Sequence, residues 1–224
     1  MGREEKERME ITNRQWGEII LNCCEKLGVE AGPGHLELFR VHARLLIEWA
    51  GKMNLTAALD PEQNARRHFG DSLAIAPHIP ENAKNLVDIG SGAGFPGLPV
   101  KAVRPDLSVT LVDSARKKVS FQKAVIRASG LAGIEAIEDR AENLAKSGRT
   151  FDVVCARAVA DLSLLWALAE PLLSSGGVLL ALKGKNAQQE ADVLCDKTGH
   201  LATLFPYVLP GTNVLRHVVM ITGD

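Results

Sequence analysis

Several features that define particular protein classes are missing from this chain. It has only four cysteines, with no C-x-x-C pair and no histidine at zinc spacing, which argues against a disulfide framework or a metal site. No run of about 18 apolar residues is present, so we expect no membrane span. The charged N-terminus does not resemble a secretory signal, and we therefore expect a cytoplasmic protein.

The sequence also lacks a strong net charge. A formal charge of −1 gives no overall sign of a nucleic-acid partner, so such a partner must be recognised through local patches. Basic residues do cluster locally, at residues 66–68, at 116–118 with Lys123 and Arg127, and at Lys183 with Lys185. Clusters of this kind are most often solvated surface, but each is a candidate contact for phosphates.

The hydrophobic pattern changes near position 84 of the 224-residue chain, which is long enough for one sizeable core with an appendage. Before this position, helical periodicity predicts helices at residues 12–28, 36–53 (ended by 54–56) and 61–79, the last as one or two short helices. We therefore predict an N-terminal helical region over residues 1–83 and a core domain over residues 84–224, together forming one compact unit.

After position 84, apolar runs alternate with helical stretches. The runs predict strands at residues 85–89, 108–112, 134–138, 151–156 and 177–182. The helical stretches lie near 97–104, 115–129, 140–146 and 161–174. This alternation predicts an α/β fold with a mostly parallel sheet and helices on both faces. Residues 201–209 and 214–221 are further extended runs joined by a turn, so the sheet should end in an antiparallel hairpin.

The most informative segment is a glycine-rich turn after the first predicted strand. Gly90, Gly92 and Gly94 stand at alternate positions, and Asp88 places an acid at the strand end, where an apolar residue is expected. Glycine has no Cβ and tolerates positive φ, so such a turn lets the backbone pass close to a bulky ligand. The turn therefore predicts a nucleoside-bearing cofactor.

Two cofactor classes fit this turn. Residues 92–97 match the dinucleotide pattern G-x-G-x-x-G, whereas residues 88–94 match the D-x-G-x-G-x-G form of S-adenosylmethionine enzymes. Asp113, which ends the second predicted strand, suits both because it can hold ribose hydroxyls. The acid before the glycines, the C-terminal hairpin and residues 139–142 after the third strand favour S-adenosylmethionine. Glu142 could equally be a solvated carboxylate at a helix start.

Specific segments then point to one family. They are W-A-G-K-M-N-L-T (49–56), R-H-F-G-D-S-L (67–73), V-D-I-G-S-G-A-G-F-P-G (87–97), L-V-D-S (111–114), F-D-V-V-C-A-R-A (151–158) and A-L-K-G (181–184). With them, the chain resembles the bacterial 16S ribosomal RNA guanine-N7 methyltransferase family, also called the glucose-inhibited division protein B family. The likeness runs from about residue 35 to the end.

The resemblance implies a Rossmann-like class I S-adenosylmethionine-dependent methyltransferase: a mostly parallel seven-stranded sheet with an antiparallel C-terminal hairpin, behind an N-terminal helical region. It implies S-adenosylmethionine as methyl donor and N7 of one guanine in 16S rRNA as acceptor. Matched residue by residue, the family's cofactor positions fall on Gly90, Phe95, Ala141, Glu142 and Arg157. The residues singled out above, Asp88, Gly92 and Asp113, complete the candidate cofactor site. Phe95 could lie against the ligand or fill the space between helix and sheet.

The residue types agree with attack by guanine N7. This atom carries an exposed lone pair and needs no deprotonation, so catalysis reduces to alignment and no catalytic residue is assigned. Cys155 lacks the preceding proline that is common in cytosine-C5 enzymes. Residues 156–160 lack the [D/N]-P-P-[Y/F] motif of exocyclic amine methylases.

Arg157 is the strongest candidate for a ligand contact. It follows the fourth predicted strand, at the carboxyl end of the sheet, where ligands bind in folds of this kind. An arginine there can hold an RNA phosphate, guanine O6 or the cofactor carboxylate. The alternative is a structural ion pair with Asp88 or Asp161.

Further candidate RNA contacts are Arg66, Arg67 and Lys183, whereas His68 and Asp71 are expected to brace the helical region. The expected partner is 16S rRNA or the small ribosomal subunit, with neither metal nor membrane, and the chain is expected to be a monomer. Two alternatives stay open: a methyltransferase acting on another RNA or a small molecule, and a non-catalytic sensor of an adenosine ligand.

Overall fold

The computed structural model describes the backbone of residues 3–53 and 60–223 and the side chains of residues 14–50 and 60–223. Its α-helices are α1 (Arg3–Lys26), α2 (Pro33–Met53), α3 (Pro61–Asn64), α4 (Asp71–Leu73), α5 (Gly97–Val103), α6 (Arg116–Ser129), α7 (Ala141–Lys146), α8 (Leu162–Ala169) and α9 (Ala187–Thr198). A π-helix (Ala65–Gly70) joins α3 to α4, and 3₁₀ turns span Ala76–His78 and Glu170–Leu172. None of these helices combines the length and apolar character that crossing a bilayer requires.

Seven strands form one sheet in the order β3-β2-β1-β4-β5-β7-β6. They are β1 (Asn85–Ile89), β2 (Ser108–Asp113), β3 (Ile134–Glu138), β4 (Phe151–Arg157), β5 (Leu173–Lys183), β6 (Thr203–Val208) and β7 (Leu215–Thr222). The first five strands are parallel, and β7 lies antiparallel between β5 and β6. The predicted α/β class, the mostly parallel sheet and the C-terminal hairpin are confirmed. The ends of β1 to β5, and of β6, therefore meet at one carboxyl edge.

The N-terminal helices pack onto the sheet domain through aromatic side chains. Phe69 lies edge-on to Trp16 of α1, with ring centroids 5.3 Å apart, and edge-on to Phe95 at 5.2 Å. The ring centroid of Phe39, in α2, lies 5.4 Å from that of Phe69. These residues belong to one buried cluster that also contains β1 and β2 side chains. The division into residues 1–83 and 84–224 stays a prediction.

Helical boundaries in the first part of the chain differ from those predicted. The first helix begins at Arg3 rather than at residue 12. Residues 61–73 form one continuous helical segment, within the predicted one or two short helices over 61–79, but its middle is a π-helix that the sequence did not predict. The predicted end of the second helix at residues 54–56 lies outside the described residues.

The second half of the chain contains one helix that the sequence did not predict. The buried side chains of α9 are Ala187, Ala191 and Leu194, and two alanines give a weak hydrophobic period. In addition, α8 ends at Ala169 rather than near residue 174, because Pro171 cannot donate the next helical hydrogen bond.

Candidate active site

A glycine turn joins β1 to α5 at the carboxyl edge of the sheet. Gly90 follows β1 with φ +67°, and a Cβ at this position would lie 2.7 Å from Val159 Cγ2. Gly97 begins α5, and a Cβ there would lie 2.3 Å from Leu111 Cδ2 and 2.9 Å from Asp88 Oδ2. Gly90 therefore combines a left-handed backbone with close packing against Val159 and is exposed at the edge, while Gly97 lets α5 pack directly on β1 and β2.

Asp88 lies beneath this turn and is fully buried. Its Oδ2 accepts a hydrogen bond from the Gly97 backbone N–H at 2.8 Å. Its Oδ1 has no hydrogen-bond partner among the described residues. Burial raises the pKa of Asp88 to about 7, while the Gly97 N–H and the nearby charge of Arg157 act in the opposite direction. The site therefore contains a buried carboxyl group with a vacant acceptor.

Asp113, the last residue of β2, is joined to the glycine turn. Its Oδ2 accepts from the Gly92 N–H at 2.9 Å and lies 3.3 Å from Lys118 Nζ, and its Oδ1 accepts from the Ala115 N–H at 2.9 Å. A carboxylate can accept about four hydrogen bonds, so Asp113 can accept a further hydrogen bond from a ligand after these contacts. The structure brings together two predicted cofactor residues, Gly92 and Asp113, and the ribose contact itself stays a prediction.

Gln122 of α6 braces the same turn and was missed by the sequence reasoning. Its Nε2 donates to Ser91 Oγ and to the Gly92 carbonyl, both at 2.8 Å. A signal was present in the sequence, because Gln122 is a polar residue between Val119 and Val125 on the apolar face of α6. A buried amide needs hydrogen-bond partners, and here the glycine turn supplies acceptors for its Nε2 group.

The residues predicted to meet the adenine follow β3. The Asp139 N–H donates to the Asp113 carbonyl at 3.2 Å, which places this loop beside the end of β2. Asp139 Oδ1 accepts from Asn143 Nδ2 at 2.9 Å across the first turn of α7. Ala141 is half-buried and Glu142 is exposed in this turn. Both therefore lie at the carboxyl edge near Asp113, and their contact with a cofactor stays a prediction.

The side chain of Phe95 fills the space between the glycine turn and the N-terminal helices. Only 2% of Phe95 is exposed, and its ring is stacked between the imidazoles of His42 (centroids 4.5 Å apart) and His68 (5.0 Å). His42 Nε2 lies 2.8 Å from the Ala93 carbonyl, which holds that imidazole against the turn. Of the two sequence alternatives, the space-filling one describes this side chain, and its backbone is the part left to meet a ligand.

Arg157 ends β4 at the same edge, with 13% of its side chain exposed. Its Nη1 donates to the Arg67 carbonyl at 2.9 Å, its Nη2 lies 3.3 Å from His68 Nδ1, and its Cζ lies 5.0 Å from the centre of the Phe95 ring. The carboxylate in ion-pair contact is Asp71, at 3.8 Å.

This partner is neither of the two acids considered from the sequence. Asp161 instead caps α8, because its Oδ1 accepts from the Leu164 N–H at 3.0 Å. The negative charge of Asp88 favours the charged form of Arg157. In the part of the chain that the structure describes, these two side chains form no ion pair. The R-H-F-G-D-S-L segment therefore supplies the groups around Arg157, whereas the sequence analysis expected His68 and Asp71 to brace the helical region.

The other predicted RNA contacts differ in their surroundings. Arg66 donates through Nη1 to the Pro210 carbonyl at 2.7 Å and through Nε to Glu62 at 3.0 Å. Lys183 is 9% exposed and donates to Glu190 Oε2 at 2.7 Å. Arg67 is exposed. Their roles toward RNA stay predictions.

No group of three or more histidine, cysteine, aspartate or glutamate side chains suited to a metal ion occurs in the part of the chain that the structure describes. Solved structures that share the fold include the O-methyltransferase TomG from Streptomyces achromogenes, in complex with SAM (15% identity, TM-score 0.58, covering 95% of this chain and 99% of that one). Another is the O-methyltransferase from Bacillus cereus, in complex with SAH (15% identity, TM-score 0.57, covering 95% and 100%). At 15% sequence identity, these two structural similarities support the fold and do not indicate the function.

Sequence relatives are far more similar. One is the ribosomal RNA small subunit methyltransferase G of Geobacter sp. (strain M21), 38% identical over 209 residues that cover 91% of this chain and 96% of the relative. The protein of the same name from Desulfitobacterium hafniense (strain Y51) is 42% identical over 169 residues, covering 74% and 70%. The family model GidB, described as rRNA small subunit methyltransferase G, matches residues 35–206. The chain belongs to the ribosomal RNA small subunit methyltransferase G family.

Proposed function

We propose that this chain transfers a methyl group from S-adenosylmethionine to N7 of one guanine in 16S rRNA. The observation that carries the proposal is the glycine turn, in which Gly90 is exposed at the sheet edge between two acids, Asp88 and Asp113. Family membership supports small-subunit rRNA as the substrate. The choice of guanine N7 rests on the resemblance together with the chemistry argued below.

The residues at the turn fit S-adenosylmethionine. Gly90 is exposed and has a left-handed backbone without a side chain, so its main chain can meet a ligand at the sheet edge. The free acceptor positions of Asp113 suit the ligand's ribose hydroxyl donors, while Asp88, buried beneath the turn, shapes the site through the Gly97 N–H. We assign Gly90, Gly92 and the Phe95 backbone to the cofactor site, with Ala141 and Glu142 on its adenine side.

S-adenosylmethionine, when bound, supplies a methyl group that its sulfonium makes electrophilic. Guanine N7 has a lone pair in the plane of the base and carries no proton, so the enzyme needs no general base. Asp88 and Asp113 accept hydrogen bonds from the backbone of the glycine turn and hold its shape. The contribution of the chain is therefore alignment of the acceptor with the methyl group.

The burial of Cys155 argues against methylation of cytosine C5. Cys155 is fully buried within β4, opposite Asp88 on β1, and burial raises the pKa of its thiol well above the ordinary value. A C5 enzyme needs a thiolate that reaches the substrate base. Residues 156–160, at the end of β4 and just after it, lack the [D/N]-P-P-[Y/F] motif that orients an exocyclic amine.

Among the candidate RNA contacts, Arg67 is the one we place first, because its side chain is exposed at the carboxyl edge. Arg66 and Lys183 are already engaged with Glu62 and Glu190, so their charges are partly compensated. We further propose that the protein acts as a monomer in the cytoplasm, where it meets rRNA or the assembled small subunit.

The decisive experiment measures transfer of labelled methyl from S-adenosylmethionine to 16S rRNA from cells that lack the endogenous enzyme, followed by nucleoside digestion. Label in 7-methylguanosine at a single site is expected. Naked rRNA and small subunits should be tested in parallel, because the substrate is one or the other.

A matched pair of variants gives the control. Asp113→Ala should abolish most cofactor binding and label, whereas Asp106→Ala, which removes a carboxylate from an exposed ion pair with Arg104, should leave both unchanged. Label in another nucleoside would overturn the acceptor assignment. Cofactor binding without label on either substrate would favour the sensor.

A further inference from the structure

Asp71 is the centre of a buried cluster of charged and polar side chains. Only 3% of Asp71 is exposed. Its Oδ1 accepts from the Tyr207 hydroxyl at 2.7 Å, and its Oδ2 accepts from Arg216 Nη2 at 2.8 Å and lies 3.8 Å from Arg157 Nη1. Tyr207 and Arg216 face each other across β6 and β7, so the C-terminal hairpin presents both to one carboxylate.

The charges in this cluster do not cancel. Two guanidinium groups share the single carboxylate of Asp71, and the next acid, Asp88, has a pKa raised to about 7 by burial and so is only partly ionised at neutral pH. Burial lowers the pKa of His68 to about 4, so this imidazole stays neutral. The cluster keeps a surplus of positive charge at the edge where Arg157 lies.

Stability is a weak reason for such an arrangement. Removing charged groups from water is unfavourable, and a buried ion pair often stabilises a fold no more than apolar packing of equal volume. What the arrangement does provide is a defined position for the Arg157 guanidinium. That group is held from three sides, by the Arg67 carbonyl, by His68 Nδ1 and by the charge of Asp71.

The backbone around Asp71 is also unusual. Residues Ala65–Gly70 form a π-helix, and the Asp71 N–H donates to the carbonyls of Arg66 and His68. π-helical turns are uncommon and occur frequently at functional sites. Here the wide turn precedes Asp71 directly and carries the Arg67 carbonyl that Arg157 contacts. The continuous helical segment of residues 61–73 thus presents all three groups that hold this arginine.

We propose that Asp71 is a positioning residue for the methyl-transfer reaction and acts through Arg157, whose guanidinium it holds at the cofactor site. The inference rests on the proposed function and on the cofactor contact that the family resemblance implies for Arg157, which we take to be with the carboxylate of S-adenosylmethionine. Tyr207 and Arg216 in turn fix the Asp71 carboxylate, so the C-terminal hairpin contributes to cofactor binding without touching the cofactor.

The test is a double-mutant cycle on S-adenosylmethionine affinity, measured by calorimetry without RNA. Asp71→Asn keeps the size of the side chain and removes its charge, and it should weaken binding about tenfold, within the range of couplings between contacting residues. Arg157→Ala should weaken binding at least as much. The double variant should bind no more than about twofold more weakly than Arg157→Ala alone, because Asp71 acts only through that arginine.

Additive losses, or unchanged affinity in Asp71→Asn or in Arg157→Ala, would overturn the positioning role. Asp106→Asn is the matched control and should leave affinity unchanged, while Asp71→Glu should restore part of the loss. If circular dichroism shows that Asp71→Asn does not fold, the same cycle is run with Tyr207→Phe, which frees the carboxylate without removing its charge. That variant should bind about threefold more weakly, again without additivity to Arg157→Ala, and additivity there would overturn the role.

Failure of the proposed function has a different signature in these measurements. Wild-type protein that does not bind S-adenosylmethionine would overturn the function and the positioning role together. Wild-type protein that binds it but methylates another nucleoside would overturn the acceptor alone, and the cycle would still decide the role of Asp71.

Discussion

The carboxylate of Asp88 closes the glycine turn by accepting a hydrogen bond from the Gly97 backbone N–H at 2.8 Å, nine residues further along the chain. This contact fixes the start of α5 against the end of β1 and shapes the turn between them. Because the carboxyl group is fully buried, its protonation is linked to folding.

Asp88 should make the protein less stable as the pH rises. The folded-state pKa is raised to about 7 from an ordinary value near 4, so the folded protein binds a proton that the unfolded chain releases between these values. Its contribution to the unfolding free energy should fall across this window, by up to about 1.4 kcal/mol per pH unit, and stay constant above it. Urea denaturation of wild type and Asp88→Asn should show a difference that varies from pH 4 to 7. A difference in unfolding free energy that stays constant from pH 4 to 7 would contradict the raised pKa of Asp88.

His42 should have the opposite effect on the acid side. Burial lowers its pKa to about 3, so the folded protein keeps the imidazole neutral where the unfolded chain protonates it. The stability it contributes is complete above about pH 6.5 and is lost as the pH falls from there toward 3. His42→Gln retains a donor for the Ala93 carbonyl and should lose stability less steeply in acid, by up to about 1.4 kcal/mol per pH unit. If denaturant titrations show that wild type and His42→Gln lose unfolding free energy equally as the pH falls from 6.5 to 3, the prediction is refuted.

Gly90 and Gly148 offer a matched pair for separating backbone strain from ligand binding. Their φ values are +67° and +75°, and a Cβ would meet Val159 at Gly90 but nothing within 4 Å at Gly148. Alanine at either position should cost about 1–2 kcal/mol of unfolding free energy through the left-handed backbone, and the contact with Val159 should add to that cost at Gly90. Only Gly90→Ala should also weaken S-adenosylmethionine binding in calorimetry. Equal affinity in both variants would remove Gly90 from the cofactor site.

Alanine variants of Arg66 and Arg67 should differ in whether they lower protein stability or RNA affinity. Arg67→Ala should lower rRNA affinity and reduce the slope of log affinity against log salt by about 0.7–0.9, because one phosphate contact is lost. Arg66→Ala removes contacts to Glu62 and Pro210, so it should lower the thermal midpoint and alter the salt slope less. Filter binding across a salt series, beside thermal denaturation, measures both. An unchanged slope in Arg67→Ala would return that residue to the solvated surface.

The sequence predicted those parts of the fold that depend on residues close together in the chain. Apolar runs located all seven strands, and alternate glycines located the turn after β1, because burial and backbone conformation there depend on neighbouring residues. Helix α9 was missed because Ala187 and Ala191 give little hydrophobic contrast. The π-helix was missed because its wide turn has no distinct residue preference.

The candidate site was predictable only in part. Glycines and acids at strand ends could be recognised from their positions, and the structure brings Gly92 and Asp113 into contact. The partner of Arg157 could not be recognised, since Asp71 precedes it by more than eighty residues and periodicity carries no information on such pairs. The burial of the Phe95 ring likewise depends on His42 and His68, which arrive from the N-terminal helices.

The contacts of Asp71 also set an order of events during synthesis. Tyr207 and Arg216 lie 136 and 145 residues after Asp71, so a ribosome has made nearly all of this chain before either partner exists. Until then, the segment that holds Arg157 lacks its bonds to the C-terminal hairpin. A chain cut short before β6 would contain the glycine turn and every predicted cofactor residue, yet its arginine would have lost the support of the hairpin. Cofactor affinity should therefore rise only after β6 and β7 have been made and have packed against Asp71.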